Sequence, residues 1–309
     1  MNAPTVRFAP SPTGFLHVGN VRVALVNWLF SRAGGGRFLL RLDDTDRARC
    51  EDVYAAAIEE DLVWLELDWD GFSRQSDHLE SYDEACGALR EAGRLYPCYE
   101  TPDELALKRK SLLSRGKPPI YDRTALGLSG AEREKLKEEG HKPHWRFKLE
   151  GGEVVWDDLV HGHLSFDGEN LSDPVLVRED GTYLYMLPST VDDAAMQVSH
   201  VVRGDDHLAN SAVQIQLFEA LGVPVPNFAH LPLLRDVEGG ELSKRLGSLA
   251  LRDLRGDGIE AMAVNSLLAS LGTSEAVKEH GSLEELLGTF DFSKFSCNPP
   301  KFGYDELER

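Results

Sequence analysis

Thr5-Val6-Arg7-Phe8-Ala9-Pro10-Ser11-Pro12-Thr13-Gly14-Phe15-Leu16-His17-Val18-Gly19-Asn20, continued to Arg37-Phe38-Leu39-Leu40-Arg41-Leu42, is the stretch that decides the fold. Thr5 to Phe8 reads as a short strand, and Pro10 and Pro12 forbid regular structure immediately after it. From Val18 to Arg32 the apolar residues Val21, Leu25, Trp28 and Leu29 recur at helical spacing, until Gly34-Gly35-Gly36 ends the run. Arg37 to Leu42 is a second strand, closed by Asp43-Asp44-Thr45-Asp46. Strand, loop, helix and strand make one βαβ unit.

Working outward, the spacing predicts helices over Val53 to Leu65 and Leu79 to Ala92, which continue an α/β, doubly wound parallel sheet. After Cys98 the pattern changes. Residues 101–140 are charged and helical and hold Lys108-Arg109-Lys110, whereas 144–187 alternate as short strands do, for example His144-Trp145-Arg146-Phe147-Lys148. An inserted α+β subdomain accounts for both. The α/β pattern returns with a strand at Val198 to Arg203, a helix around Ala212 to Leu221 and a strand at His230 to Leu234. From Leu251 onward small helices are expected. No internal repeat is visible.

Composition narrows the function. The 309 residues, 42% hydrophobic, suffice for one large or two to three modest cores. The longest apolar runs, such as Leu62-Val63-Trp64-Leu65, fall far short of the roughly 20 residues of a membrane span, and Met1-Asn2-Ala3-Pro4 lacks an export signal; a cytoplasmic protein with no membrane contact is expected. Cys50, Cys86, Cys98 and Cys297 are scattered and read as buried, reduced thiols. With 52 acidic against 33 basic residues the net charge is -19, which argues against indiscriminate nucleic-acid binding but leaves room for a local basic strip.

Two constellations carry chemistry. His17-Val18-Gly19-Asn20 opens a helix whose free N–H groups and positive dipole end suit phosphate, and Gly19 lets a flat base approach the backbone. His17 can donate to phosphate oxygens; a histidine that only caps the helix is the plainer alternative. The second is Glu241-Leu242-Ser243-Lys244-Arg245-Leu246-Gly247, behind the flexible Glu238-Gly239-Gly240. A lysine there can close over departing pyrophosphate, with the benefit realised in the transition state; a solvated basic turn is its plainer alternative.

Together these segments resemble the HIGH and KMSKS signatures of class I aminoacyl-tRNA synthetases. Arg7-Phe8-Ala9-Pro10-Ser11-Pro12-Thr13-Gly14, Arg41-Leu42-Asp43-Asp44-Thr45-Asp46 and Val202-Arg203-Gly204-Asp205-Asp206-His207-Leu208 resemble the glutamyl branch, and the likeness covers essentially the whole chain. The resemblance implies a Rossmann-like catalytic domain with its first half over 1–95, an inserted subdomain for the tRNA acceptor end over 96–187, a second half over 188–249 and a helical stem-contact subdomain over 250–309. It implies that Arg7, Ala9, Ser11, Asp43, Tyr185 and Arg203 form the glutamate pocket, with the arginines on carboxylate and Asp43 facing the ammonium. His17, Gly19, Asn20, Leu234, Ser243, Lys244 and Arg245 fall on the ATP side, with His17 and Lys244 catalytic. ATP with Mg²⁺, L-glutamate and the acceptor end of tRNA(Glu) are the implied ligands, tRNA is needed before glutamate is activated, and a monomer is the default.

Departures from the family pattern matter. Asp43 stands where Glu is common, so its reach to the ammonium is through water. Glu241 replaces the usual Lys and removes one positive charge. A Cys-x-Cys zinc pair is broken, since Cys98 is followed by Tyr99 and Glu100 and Tyr121-Asp122-Arg123-Thr124 offers no thiol; no zinc is expected. His161 and His163 lack further ligands, and no metal is expected there either. Tyr185 reads as core as readily as ligand contact, and Asp192-Asp193 as active-site floor or strand-end turn. Lys108-Arg109-Lys110 reads as a solvated helix face. Without the family's anticodon-binding domain, the 309 residues are expected to be a truncated catalytic portion or a naturally short relative. The rivals are a glutamyl-queuosine tRNA(Asp) synthetase and a non-catalytic synthetase-like paralogue.

Overall fold

The computed structural model describes residues 3–240, 242 and 250–307. β1 (Thr5–Phe8), α1 (Val18–Ala33), β2 (Arg37–Leu42), α2 (Asp52–Trp64), β3 (Gly71–Arg74) and α3 (Leu79–Glu91) form the first half of the fold. The three strands pair in parallel in the order β1-β2-β3. Close approach at the first turn explains the glycine triplet: a side chain at Gly36 would strike the Pro4 backbone, whose carbonyl accepts the Arg37 N–H at 2.8 Å, and Gly35 turns at φ 62°.

β4 (Leu95–Cys98), α4 (Pro102–Ser114), α5 (Gly130–Glu138), β5 (His144–Phe147), β6 (Glu153–Asp158), β7 (Gly162–Asp167) and β8 (Val175–Val177) follow. β4, β5 and β8 make an antiparallel sheet. The segment expected as one insertion is divided between two sheets, because the β6–β7 hairpin turns Val154, Trp156 and Phe166 onto Phe228 and extends the sheet of the second half.

That half contains α6 (Met186–Ala195), β9 (His200–Gly204), α7 (Leu208–Ala220) and β10 (Asn227–Leu231), and is followed by α8 (Leu251–Gly256), α9 (Ala261–Ser270) and α10 (Leu283–Leu287). Its strand order is β7-β6-β10-β9, with β6, β10 and β9 parallel. β9 lies against β1: the Ser199 N–H donates to Thr5 O at 2.9 Å, and the Thr5 N–H donates to Ser199 Oγ at 2.9 Å. Chain direction out of the sheet reverses at this β1/β9 seam, where ligands settle at the carboxyl ends of the strands in open α/β sheets.

α1 is buried along most of its length and packs with β1, β2 and α9 in the main apolar core. Asn27 Nδ2 donates to Val23 O at 2.8 Å and to Val202 O at 3.1 Å, while Asn27 Oδ1 and Arg22 Nε are buried without a partner among the described residues. Arg22 Nη1 and Nη2 donate to Pro232 O at 2.7 Å and Leu271 O at 3.0 Å, tying α1 to the end of β10 and to the C-terminal helices. Cys86 and Cys98 are buried as expected, but Cys297 is exposed and Cys50 half-buried. No described helix is long and apolar enough to cross a membrane.

Candidate active site

A cleft of about 350 Å³ opens at the β1/β9 seam. Arg7, Ala9, His17, Gly19, Asn20, Asp43, Tyr185, Arg203 and Leu234 all line it. Ser11 does not; it is exposed, and its carbonyl accepts the Thr13 N–H within its own turn. Glu241, Ser243, Lys244 and Arg245 lie outside the described residues. What brackets them is placed: Leu242 packs against the main core, and Ala250 bridges to His17 while the Leu251 N–H donates to Leu16 O at 2.8 Å.

One wall is the start of α1. His17 caps the helix through Nδ1, which accepts the Gly19 N–H at 3.1 Å, and Asn20 Oδ1 returns the contact to the His17 N–H at 3.4 Å. Capping and ligand binding are therefore compatible, because an accepting Nδ1 leaves the proton on Nε2. Partial burial lowers the His17 pKa and favours this neutral form. A Cβ on Gly19 would approach the ring at 2.9 Å, so this glycine keeps the imidazole in place.

The opposite wall is a buried charge network. Arg7 Nε donates to Asp193 Oδ1 at 2.9 Å, and Arg41 Nη1 reaches the same oxygen at 2.6 Å. Arg41 Nε also donates to Asp43 Oδ1 at 2.7 Å. Asp43 is thus held by Arg41 while it lines the cleft. Burial disfavours charge on Asp193, but Arg7 and Arg41 outweigh it and hold the carboxyl below its ordinary range. Burial likewise opposes charge on Arg41, yet Asp43, Asp193 and Asp192 keep its pKa well above the usual value. Asp192 accepts Tyr82 OH at 2.7 Å and meets His78 Nδ1 at 3.0 Å. Both aspartates stand on α6, a helix where short strands and a turn were expected.

Arg203, at the carboxyl end of β9, is different. It is 6% exposed and has no carboxylate within 4.0 Å among the described residues. Its Nη1 donates to Tyr185 OH at 2.7 Å, so Tyr185, 36% exposed, faces the cleft instead of the core. Burial lowers the Arg203 pKa, as expected of a cation lacking a counter-ion. His207, Ser189 and Arg22, to which the motifs assign no role, also line the cleft. The signal for His207 was its place in the Arg203 to Leu208 segment. Arg22 carried none, since one arginine on a helix reads as surface.

Away from the cleft, Lys108 contacts Glu100 and Asp122 at 3.5 and 3.1 Å, and Arg109 and Lys110 are exposed. His163 pairs with Asp157 at 3.0 Å on the β6–β7 hairpin. His144 joins Cys98 and Glu100 with ligand-type atoms within 4.8 Å of one another, a grouping the broken Cys-x-Cys pattern did not suggest. Tyr121 OH donates to Glu100 Oε1 at 2.6 Å there, and burial pushes the Cys98 thiol up to about 11.

Comparison with known proteins supplies the family. Residues 4–309 match the family model described as tRNA synthetases class I (E and Q), catalytic domain. The chain is 61% identical over 305 residues to a glutamate–tRNA ligase of Azospirillum brasilense, covering 98% of this chain and 68% of that protein. It is 56% identical to a glutamate–tRNA ligase 2 of Methylorubrum populi, with 99% and 68% covered. A glutamate–tRNA ligase structure from Elizabethkingia meningosepticum, in complex with its amino acid, superposes with a TM-score of 0.90 at 32% identity, over 99% of this chain and 68% of that one. A Mycobacterium tuberculosis methionyl-tRNA synthetase, at TM-score 0.53 and 13% identity over 86% of this chain and 63% of that one, shares the fold.

Proposed function

This chain belongs to the catalytic-domain family of class I tRNA synthetases for glutamate and glutamine, and on that premise we propose that it activates L-glutamate with ATP and transfers it to the 3′ end of tRNA(Glu). The observation that carries the reading is Arg203, a buried guanidinium without a carboxylate partner among the described residues, facing a cleft whose other wall is a helix N-terminus. A carboxylate ligand completes the first, and phosphate suits the second.

Glutamate enters with its carboxylates on Arg203 and on the terminal nitrogens of Arg7, whose Nε alone is bonded among the described residues. Asp43, turned to Arg41, meets the ammonium through water. ATP, taken as its Mg²⁺ complex, lies with its phosphates at the α1 N-terminus, where His17 Nε2, the backbone of Gly19 and the side chain of Asn20 face them, and with Leu234 against the nucleotide. The substrate α-carboxylate attacks the α-phosphorus, glutamyl-adenylate forms and pyrophosphate leaves, with Lys244, Ser243 and Arg245 serving the phosphates. A terminal ribose hydroxyl of tRNA then attacks the adenylate carbonyl and releases AMP. Orientation and electrostatics supply the acceleration, with no covalent enzyme intermediate.

The β4-β5-β8 sheet with α4 and α5 cradles the acceptor end, and the helices from α8 onward contact the stem. On this reading the enzyme works as a cytoplasmic monomer. Charging of tRNA(Glu) with labelled glutamate tests the proposal: acid-precipitable label that depends on ATP supports it, and label attached to tRNA(Asp) instead would move the activity to base modification.

A further inference from the structure

Behind Arg203, on the side away from the cleft, four side chains from separate elements form one chain of hydrogen bonds. Arg203 Nη2 donates to Ser211 Oγ at 2.5 Å; Ser211 Oγ lies 2.7 Å from His230 Nε2; His230 Nδ1 lies 2.5 Å from Asp158 Oδ2. Arg203 Nε points at the same His230 nitrogen from 3.4 Å. Asp158 is anchored in turn, since its Oδ1 accepts the N–H groups of Val160 and His161 at 3.0 Å. Ser211 and His230 are 0% and Asp158 4% exposed.

The donor and acceptor inventory gives the chain one direction. Burial favours a neutral His230, and burial of Asp158 is outweighed by His230 and by backbone N–H groups that keep its carboxyl below the ordinary range. The His230 proton then sits on Nδ1 facing Asp158, and Nε2 is an acceptor for the Ser211 hydroxyl, leaving a Ser211 lone pair for Arg203. Of the five guanidinium N–H groups, three are turned to Ser211, His230 and Tyr185, which leaves one on each terminal nitrogen for a ligand.

We propose that Asp158, His230 and Ser211 are positioning residues that aim the Arg203 guanidinium at a substrate carboxylate without neutralising it. A carboxylate bonded directly to Arg203 would compete with the ligand for the same N–H groups and cancel the charge that attracts it. Two neutral side chains place the Asp158 charge at a remove, so Arg203 is held rigidly and still presents net positive charge to the cleft. Holding the fork in place before binding lowers the ordering cost of taking up the ligand. This inference rests on the glutamate reading of the cleft.

The test is a double-mutant cycle in tRNA-dependent ATP–pyrophosphate exchange. Ser211→Ala is expected to raise the glutamate KM about tenfold with the ATP KM unchanged, and to add nothing further in an Arg203→Ala background, where the group it aims is gone. His230→Gln provides the same comparison should Ser211→Ala fold poorly. A glutamate KM unchanged in the folded single variants, or equal multiplicative losses with and without Arg203, would overturn the relay alone. No glutamate-dependent exchange by the unaltered chain would overturn the reading of the cleft, and with it the ligand the relay serves.

Discussion

Arg7 and Asp193 meet across 186 residues of chain, Nε to Oδ1 at 2.9 Å, and this buried contact joins the two halves of the nucleotide fold at the cleft. Because Arg41 binds the same carboxylate oxygen, the single charge of Asp193 is shared between two cations. Asp193→Asn is expected to cost about 3 kcal/mol or more, the penalty of leaving buried guanidinium charge uncompensated. The Asp193 pKa is depressed in the folded state, so its contribution is complete above the ordinary aspartate range and lost as pH falls through the depressed value. Denaturant unfolding at pH 7 and pH 3 measures this: the gap between the unaltered protein and Asp193→Asn should narrow in acid.

Arg203→Ala should raise the glutamate KM by about two orders of magnitude, as loss of a charged, two-point contact does. The ATP KM should hold. Arg203→Lys is expected to recover little, since an ammonium cannot reproduce the planar fork. An unchanged glutamate KM in either variant would remove Arg203 from the pocket.

His17 has two separable duties. Asn is a good N-cap, so His17→Asn should retain the stability of α1 while lowering the rate of adenylate formation about a hundredfold, the usual loss for one donor to developing charge. His17→Ala should lose the same rate and about 1 kcal/mol of stability as well. Equal activity in His17→Asn and the unaltered protein would reduce His17 to a cap.

Much of this frame is legible in the chain. The glycine triplet, the helical period of Val21, Leu25 and Trp28, and the prolines at 10 and 12 are local signals, and α1, β1 and β2 fall where they predict. β10 is shifted: it spans Asn227–Leu231 where His230 to Leu234 was expected, and it stops ahead of Pro232, which has no N–H to give the ladder. α6 was missed because Tyr183 to Met186 looks like a strand, although Pro188 fits the first turn of a helix. β3, four residues of mixed burial, carries almost no periodic signal. Among site residues, Arg7 and Arg203 were legible from strand ends and family motifs. Their partners Asp193, Ser211, His230 and Asp158 were not assigned as such, because pairing over such separations is set by the packing of whole elements.

Asp61, on α2, supplies a pH test remote from the chemistry. Burial, aided by Glu60 and opposed by Arg255 and Arg252, raises its pKa to about 6. A raised acid pKa means that the folded state holds the proton more tightly, so this stability is present below the unfolded value near 4 and lost as pH rises through 6. Asp61→Asn should therefore stabilise the protein at pH 7 by about 1 kcal/mol, allowing for solvent screening, with no gain below pH 4. Thermal unfolding across pH 4 to 8 is the check.

The most direct measurement is ATP–pyrophosphate exchange by this chain with L-glutamate, L-glutamine or L-aspartate, with and without tRNA(Glu). Exchange with glutamate in the presence of tRNA(Glu), and none with the other two amino acids, is the expected result. Exchange supported equally by another amino acid, or ATP binding without exchange under any of these conditions, would contradict it.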